Sequence, residues 1–155
     1  MSETLWAVHC DGSAYPNPGR MAYGVVIDAP DGRRLTRSAA TPQTGCNNEA
    51  ELRAVIAALQ ALQSLDADGV VRVFSDNSVV VAQLQLQPAV APAPIVRLAA
   101  LFDEARRLMA VFGDIRLQWI PRHRNGEADT LARAALGLAP KPADRRLSKA
   151  RRRNG

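Results

Sequence analysis

The spacing of apolar positions changes along the chain, and each change marks an element. Residues 5–10, LWAVHC, alternate as a strand: Leu5, Ala7, His9 and Asp11 share one side, and Trp6, Val8 and Cys10 the other. A turn-rich run, 12–19, leads into a second strand over 22–28. Asp31–Gly32 is a hairpin signal, with RRLTRSAA as the returning strand. The pattern then turns helical over 48–65, where Leu52, Val55, Ile56 and Leu59 fall at i, i+3, i+4 and i+7. Asn47 or Asn48 is the expected N-cap, and Glu49 and Glu51 the acids of the first turn. Asp68–Gly69 ends this unit, and VVRVF (70–74) reads as a central strand covered on both faces.

A short helix over 77–87 is broken by PAVAPAP. Residues 95–112 form an amphipathic helix with Leu98, Leu101, Ala105 and Leu108 on one face. DIRLQWI (114–120) alternates again, with Ile115, Leu117 and Trp119 set against Arg116 and Gln118. A last helix spans about 126–138, capped by Asn125. The order βββαβααβα implies an α/β fold in which helices pack on a mixed sheet.

At 155 residues and 47% apolar, the chain suits one domain with an ample core, filled by aliphatic side chains because aromatics make up only 5%. No apolar run approaches the ~20 residues of a membrane span. The opening MSETLWAVHC lacks the basic flank of a secretory leader, so a cytoplasmic location is expected. Cys10 and Cys46 lack zinc-site spacing; a cytosolic chain keeps both reduced, although the sequence alone leaves a disulfide open. No coiled-coil pattern is present, and a monomer is expected. The formal charge of +5 is concentrated at one end. Residues 141–155 carry seven basic side chains against one acid, which leaves −1 for residues 1–140. The expected division is a folded domain, 1–140, and a disordered basic tail, 141–155, suited to polyanions.

Four acids stand out by their surroundings: Asp11 in DGSAYPNPG, Glu51 in GCNNEAEL, Asp76 in FSDNS and Asp129 in NGEADTLA. Asp11 and Asp76 are expected at strand ends, where ligands of α/β sheets collect. Glu51 and Asp129 are expected in the first turns of helices. If those ends share one edge, the four carboxylates meet, and such a cluster is stable only around a cation. Each acid also has a structural reading: turn former for Asp11, helix cap for Asp76, dipole complement for Glu51 and Asp129.

Those words, in this order and with these separations, resemble type 1 ribonuclease H over roughly residues 5–138. The resemblance implies a ribonuclease H-like fold, a five-stranded mixed sheet with three antiparallel strands followed by parallel ones. It implies endonucleolytic hydrolysis of the RNA strand of RNA–DNA hybrids, leaving 5′-phosphate and 3′-hydroxyl ends. Asp11, Glu51, Asp76 and Asp129 match the family's metal-binding catalytic acids, which hold two Mg²⁺ ions, with Mn²⁺ as a possible substitute. Gly12, Ser13, Asn17, Cys46, Asn47, Asn48 and Asn77 match its contacts to the hybrid. An amide both donates and accepts, so asparagine suits a ribose 2′-hydroxyl. The rival functions are a non-cleaving module for hybrids or duplex RNA, and another nuclease of the same fold.

The chain departs from the family pattern in three places. The loop WIPRHRNGEAD is short, as in the branch in which that loop is trimmed, and His123 lies only six residues before Asp129. His123 is a candidate for proton transfer or product release, with a solvent-facing loop histidine as the competing reading; His9 is expected to pack near the site. No Lys, Arg or Trp lies between Asp76 and Arg97, so the family's basic, Trp-containing protrusion is missing. Cys46 replaces a threonine that often contacts phosphate. The tail residues Lys141, Arg145, Arg146, Lys149, Arg151, Arg152 and Arg153 are the expected substitute grip on nucleic acid.

Overall fold

The computed structural model describes residues 4–86, 90 and 92–142. Strands β1 (Leu5–Tyr15), β2 (Gly19–Asp28) and β3 (Arg34–Gly45) form an antiparallel meander. After α1 (Asn47–Ser64), β4 (Val70–Ser75) and β5 (Asp114–Trp119) add in parallel, giving the order β3-β2-β1-β4-β5. Helices α2 (Ser78–Gln83) and α3 (Ala99–Met109) lie between β4 and β5, and α4 (Gly126–Ala135) follows β5. Element order and sheet type are those expected from the sequence.

Trp6, Val8 and Cys10 of β1, Val25 and Ile27 of β2, Val71 and Val73 of β4, and Ile115 and Leu117 of β5 share one buried cluster with α1 and α3. Leu52, Val55 and Leu59 of α1 meet them, as their helical spacing requires. On α3 the buried face is Phe102, Ala105 and Met109, with Leu101 and Leu108 at its flank. Helix α4 packs on the opposite face, across β1 and β2.

Several local expectations are corrected. β1 does not stop at Cys10; it stays paired with β2 to Tyr15, so the turn shrinks to residues 16–18. Strand β4 is covered on one face only, because Val71, Val73 and Ser75 are buried while Val70, Arg72 and Phe74 are half-buried. Trp119 continues the Ile115–Leu117 side of β5, but it lies beyond the core and is 54% exposed. The α1 N-cap falls on Cys46, one residue early, which moves Glu51 from the first turn to the second. The β-branched run after Asp76 sustains only six helical residues, and residues 96–98 form a 3-10 turn before α3 begins.

Candidate active site

The pairing of β1 opens the site. It has β4 as a neighbour only from Leu5 to His9, whereas its ladder with β2 runs on to Tyr15. Asp11 therefore sits inside a strand yet beyond the end of the β1–β4 ladder, where the sheet gapes. Asp76 immediately follows the last residue of β4. The expected strand-end location thus holds for the β1–β4 junction, while the strand itself continues.

Two glycines bring helices onto this gap from opposite faces. A Cβ on Gly12 would lie 2.1 Å from the backbone C and O of Ala50, so only glycine lets α1 come this close to β1. Glu51 follows Ala50, and its Oε2 accepts the Gly12 N–H at 3.2 Å. Gly24 pairs with Asp11, and a Cβ there would lie 2.3 Å from the Ala128 carbonyl oxygen of α4. Ala128 and Ala132 are fully buried at this crossing, which presents Asp129 to Asp11. Gly12 and Gly24 are on opposite faces because their positions on the paired strands differ by one residue.

Carboxylate oxygens of Asp11, Glu51 and Asp76 all lie within 4.8 Å of one another. Asp129 is not part of that tight trio, but its carboxylate is within hydrogen-bonding reach of Asp11. Asp11 and Glu51 are 3% and 6% exposed, so water screens their repulsion poorly. Burial pushes Asp11 up to about 11, and the charges of Glu51 and Asp76 and hydrogen bonds with Glu51 and Asp129 add to the rise. Burial pushes Glu51 up to about 8; Asp76 adds to this, while hydrogen bonds from Asp11 and the Gly12 N–H and the Arg122 guanidinium hold it back. Both groups are pushed toward the protonated form by burial and mutual repulsion. A divalent cation relieves the same repulsion without a proton, and a convergent set of hard oxygen donors suits Mg²⁺ or Mn²⁺.

The comparisons with known proteins place the fold. A family model described as "Reverse transcriptase-like" matches residues 9–135. The N-terminal RNase H domain of Rv2228c from Mycobacterium tuberculosis is 31% identical, with a TM-score of 0.74 over 86% of this chain and 94% of that one. The chain belongs to the ribonuclease H family.

RNase H1 of the halophilic archaeon Halobacterium salinarum superposes with a TM-score of 0.76 at 29% identity, covering 86% of this chain and 98% of that one. LC11-RNase H1, solved with an RNA/DNA hybrid, is 31% identical with a TM-score of 0.73, covering 85% and 96%. The chain spans about a third of the full curated Rv2228c protein, 36% of its length.

Within this ribonuclease H frame, the asparagines expected at the substrate surface interlock. Asn17 Oδ1 accepts the Asn47 N–H at 3.1 Å, and Asn47 Oδ1 accepts the Ala14 N–H at 3.1 Å. Asn48 Oδ1 accepts from Asn77 Nδ2 at 2.9 Å. Asn17, Asn47 and Asn48 thus spend their oxygens internally, leaving their NH₂ groups as donors. Asn77, rather than Asp76, caps α2 by accepting the Val80 N–H at 3.0 Å, which leaves the Asp76 carboxylate to the cluster. Arg97 donates to Cys46 Sγ at 2.9 Å, placing a guanidinium beside the start of α1. Burial raises the Cys46 thiol, but Arg97 and nearby backbone N–H groups outweigh it, so it titrates below its usual value. Both cysteines are free thiols.

Neither histidine belongs to the converging carboxylate trio. His9 stacks on Phe74 at 4.9 Å and titrates low because it is partly buried. His9 and His123 line a cavity of about 290 Å³ together with Arg34, Arg124, Asn125 and Glu127. Of the short loop, it is Arg122 whose charge reaches Glu51. Sequence reasoning passed over Arg122 because histidine draws attention first. It also passed over Gly24, which reads as an ordinary strand glycine. Of the basic tail, Lys141 is described, with Nζ 3.6 Å from Asp129 Oδ1; Arg145, Arg146, Lys149, Arg151, Arg152 and Arg153 lie outside the described residues.

The raised acids predict a pH-dependent stability. Without metal, the folded chain keeps protons on Asp11 and Glu51 that the unfolded chain releases above the ordinary carboxylate range, near pH 4. The folded state binds more protons, so stability falls as pH rises through the folded values. Melting of metal-free protein should therefore shift down between about pH 5 and about pH 8, and the stabilisation by Mg²⁺ should grow over the same interval. A Mg²⁺ effect on the melting temperature that is constant with pH would contradict this account.

Proposed function

We propose that this chain is a divalent-metal-dependent endoribonuclease that hydrolyses the RNA strand of RNA–DNA hybrids, leaving 5′-phosphate and 3′-hydroxyl ends. The observation that carries the reading is the meeting of Asp11 of β1, Glu51 of α1 and Asp76, just after β4, within 4.8 Å. A structural role for those acids does not require such crowding, and leaving it uncompensated destabilises the fold. Asp11, Glu51, Asp76 and Asp129 would hold two cations, Mg²⁺ or Mn²⁺. When bound, such cations supply Lewis acidity, making water nucleophilic near neutral pH and neutralising charge at phosphorus.

The protein's own groups position the substrate. The NH₂ groups of Asn17, Asn47 and Asn48 suit ribose 2′-hydroxyls and the acceptors of a minor groove. Of Gly12 and Ser13, the half-buried Ser13 is the one left for the substrate, because Gly12 is buried against Ala50 with its N–H taken by Glu51. Cys46 with Arg97 offers positive charge at the same surface. His123 is assigned at most an accessory part in proton transfer or product release. All four carboxylates come from one chain, so a monomer suffices. No helix among the described residues is long and apolar enough to cross a membrane.

The direct test is cleavage of a labelled RNA–DNA hybrid with Mg²⁺ and with EDTA, beside duplex DNA and duplex RNA. RNA-strand products ending in 5′-phosphate, seen only with metal and only from the hybrid, are expected. Binding without cleavage would leave a binding module instead.

Residues 1–140 form the catalytic domain in this reading, and 141–155 an appended grip that makes up for the missing protrusion. Lys141 beside Asp129 starts that segment next to the acids. Truncation after Pro140 should weaken hybrid binding and flatten its salt dependence, which scales at about −0.9 per phosphate contact on B-form DNA. Turnover at saturating hybrid should persist. An unchanged salt slope would dismiss the tail as a grip.

A further inference from the structure

Asn125 occupies the N-cap position of α4, yet its side chain makes no capping bond. It turns inward. It is 1% exposed, and its Nδ2 donates to the Cys10 carbonyl at 2.9 Å and to Asp76 Oδ2 at 3.0 Å. One amide thus spans β1, the residue after β4 and the start of α4, the three places that carry Asp11, Asp76 and Asp129. Both hydrogens of the NH₂ group are used. Oδ1 is buried with no hydrogen-bond partner among the described residues. An unpaired buried acceptor is unfavourable for folding, so the amide is kept for its two donors and not for Oδ1. What Asn125 contributes that an apolar side chain of its size would lack is the pair of donors.

Resting on the proposed function, we infer that Asn125 is a positioning residue that sets the divalent-cation affinity of the site through Asp76. Asp76 is the least buried of the three clustered acids and follows the strand rather than lying within it. Its carboxylate is free to rotate about χ1 and χ2 unless something holds one oxygen. The Nδ2–Oδ2 bond holds that oxygen, and the Nδ2–Cys10 bond ties the amide to the backbone next to Asp11. A ligand fixed in this way loses less conformational freedom when a cation arrives, and hydrogen-bond partners of metal ligands commonly govern affinity by 10–100-fold. The loop therefore serves the acids with a neutral amide, where another charge would add to the crowding.

The test measures Mn²⁺ binding by calorimetry on the full chain, without substrate. Asn125→Ala and Asn125→Leu should weaken Mn²⁺ binding by about 10-fold or more. Metal-free Asn125→Leu should stay folded with only a modestly lower melting temperature, because leucine fills the same volume and removes the orphan Oδ1, while the Cys10 carbonyl loses its donor. In an Asp76→Ala background, Asn125→Leu should change Mn²⁺ affinity no further, since the group it acts through is gone. Asn125→Leu protein that binds Mn²⁺ as tightly as the unaltered chain overturns the inference. So does an equal loss in the Asp76→Ala background, or unfolding of both single variants. Unaltered protein that takes up no Mn²⁺ would instead refute the metal-dependent reading itself, which keeps the two failures apart.

Discussion

Asp11→Asn is expected to yield a folded chain that binds an RNA–DNA hybrid and cleaves it slower by about 10³-fold or more, since the several kcal/mol a metal site contributes at phosphorus amount to that in rate. Asp11 is the centre of the cluster: Glu51, Asp76 and Asp129 all act on its titration. Asparagine keeps its shape and removes its charge, so the remaining acids hold cations less tightly. The asparagine network of Asn17, Asn47, Asn48 and Asn77 does not involve the Asp11 side chain, so binding should survive. Metal-free Asp11→Asn protein should also lose much of the pH-dependent fall in melting temperature, because the buried group that retained a proton is gone. Single-turnover cleavage and hybrid binding, measured together, check this. Cleavage at the rate of the unaltered chain would remove Asp11 from the mechanism.

Gly12→Ala should damage both stability and the site with a single methyl group. Its Cβ would meet backbone atoms of Ala50 at 2.1 Å and the Glu51 nitrogen at 2.5 Å, and backbone cannot rotate out of the way as a side chain can. Helix α1 must retreat by roughly 1 Å, and overpacking of this kind costs about 1–3 kcal/mol or more. The retreat carries Glu51 away from Asp11 and stretches its bond from the Gly12 N–H. A displacement of about 1 Å at a reacting centre can cost about 10²-fold in rate. We expect a clear drop in melting temperature together with cleavage reduced by at least that factor. Gly113→Ala is the control: an added Cβ there meets nothing within 4 Å, and stability and rate should hold. Gly12→Ala protein that melts and cleaves like the unaltered chain would show that α1 does not rely on this approach.

Much of the candidate site is legible in the sequence, because its acids sit in distinctive words such as DGSAYPNPG and SDNS. Legibility failed where a residue's role depends on what crosses it. Gly24 in AYGVVID reads as a weak point in a strand, and its use appears only when α4 lies over it. Asn125 reads as a helix cap, and nothing local says that its amide reaches Cys10 and Asp76 instead. Glu51 was misplaced by one turn because two adjacent asparagines offered caps and the cysteine before them took the position.

The sequence by itself determined the order of elements, the core-facing sides of β1 and α1, and the choice of four candidate acids. These follow from period, propensity and side-chain chemistry, which are properties of neighbours along the chain. The tertiary structure alone decided that β1 outruns β4, that Gly12 and Gly24 admit two helices from opposite faces, and that Asp129 approaches Asp11 from the side. Those outcomes depend on ladder lengths and backbone clearances between segments as much as 115 residues apart, as the Asn125–Cys10 bond is, and no local pattern encodes such distances.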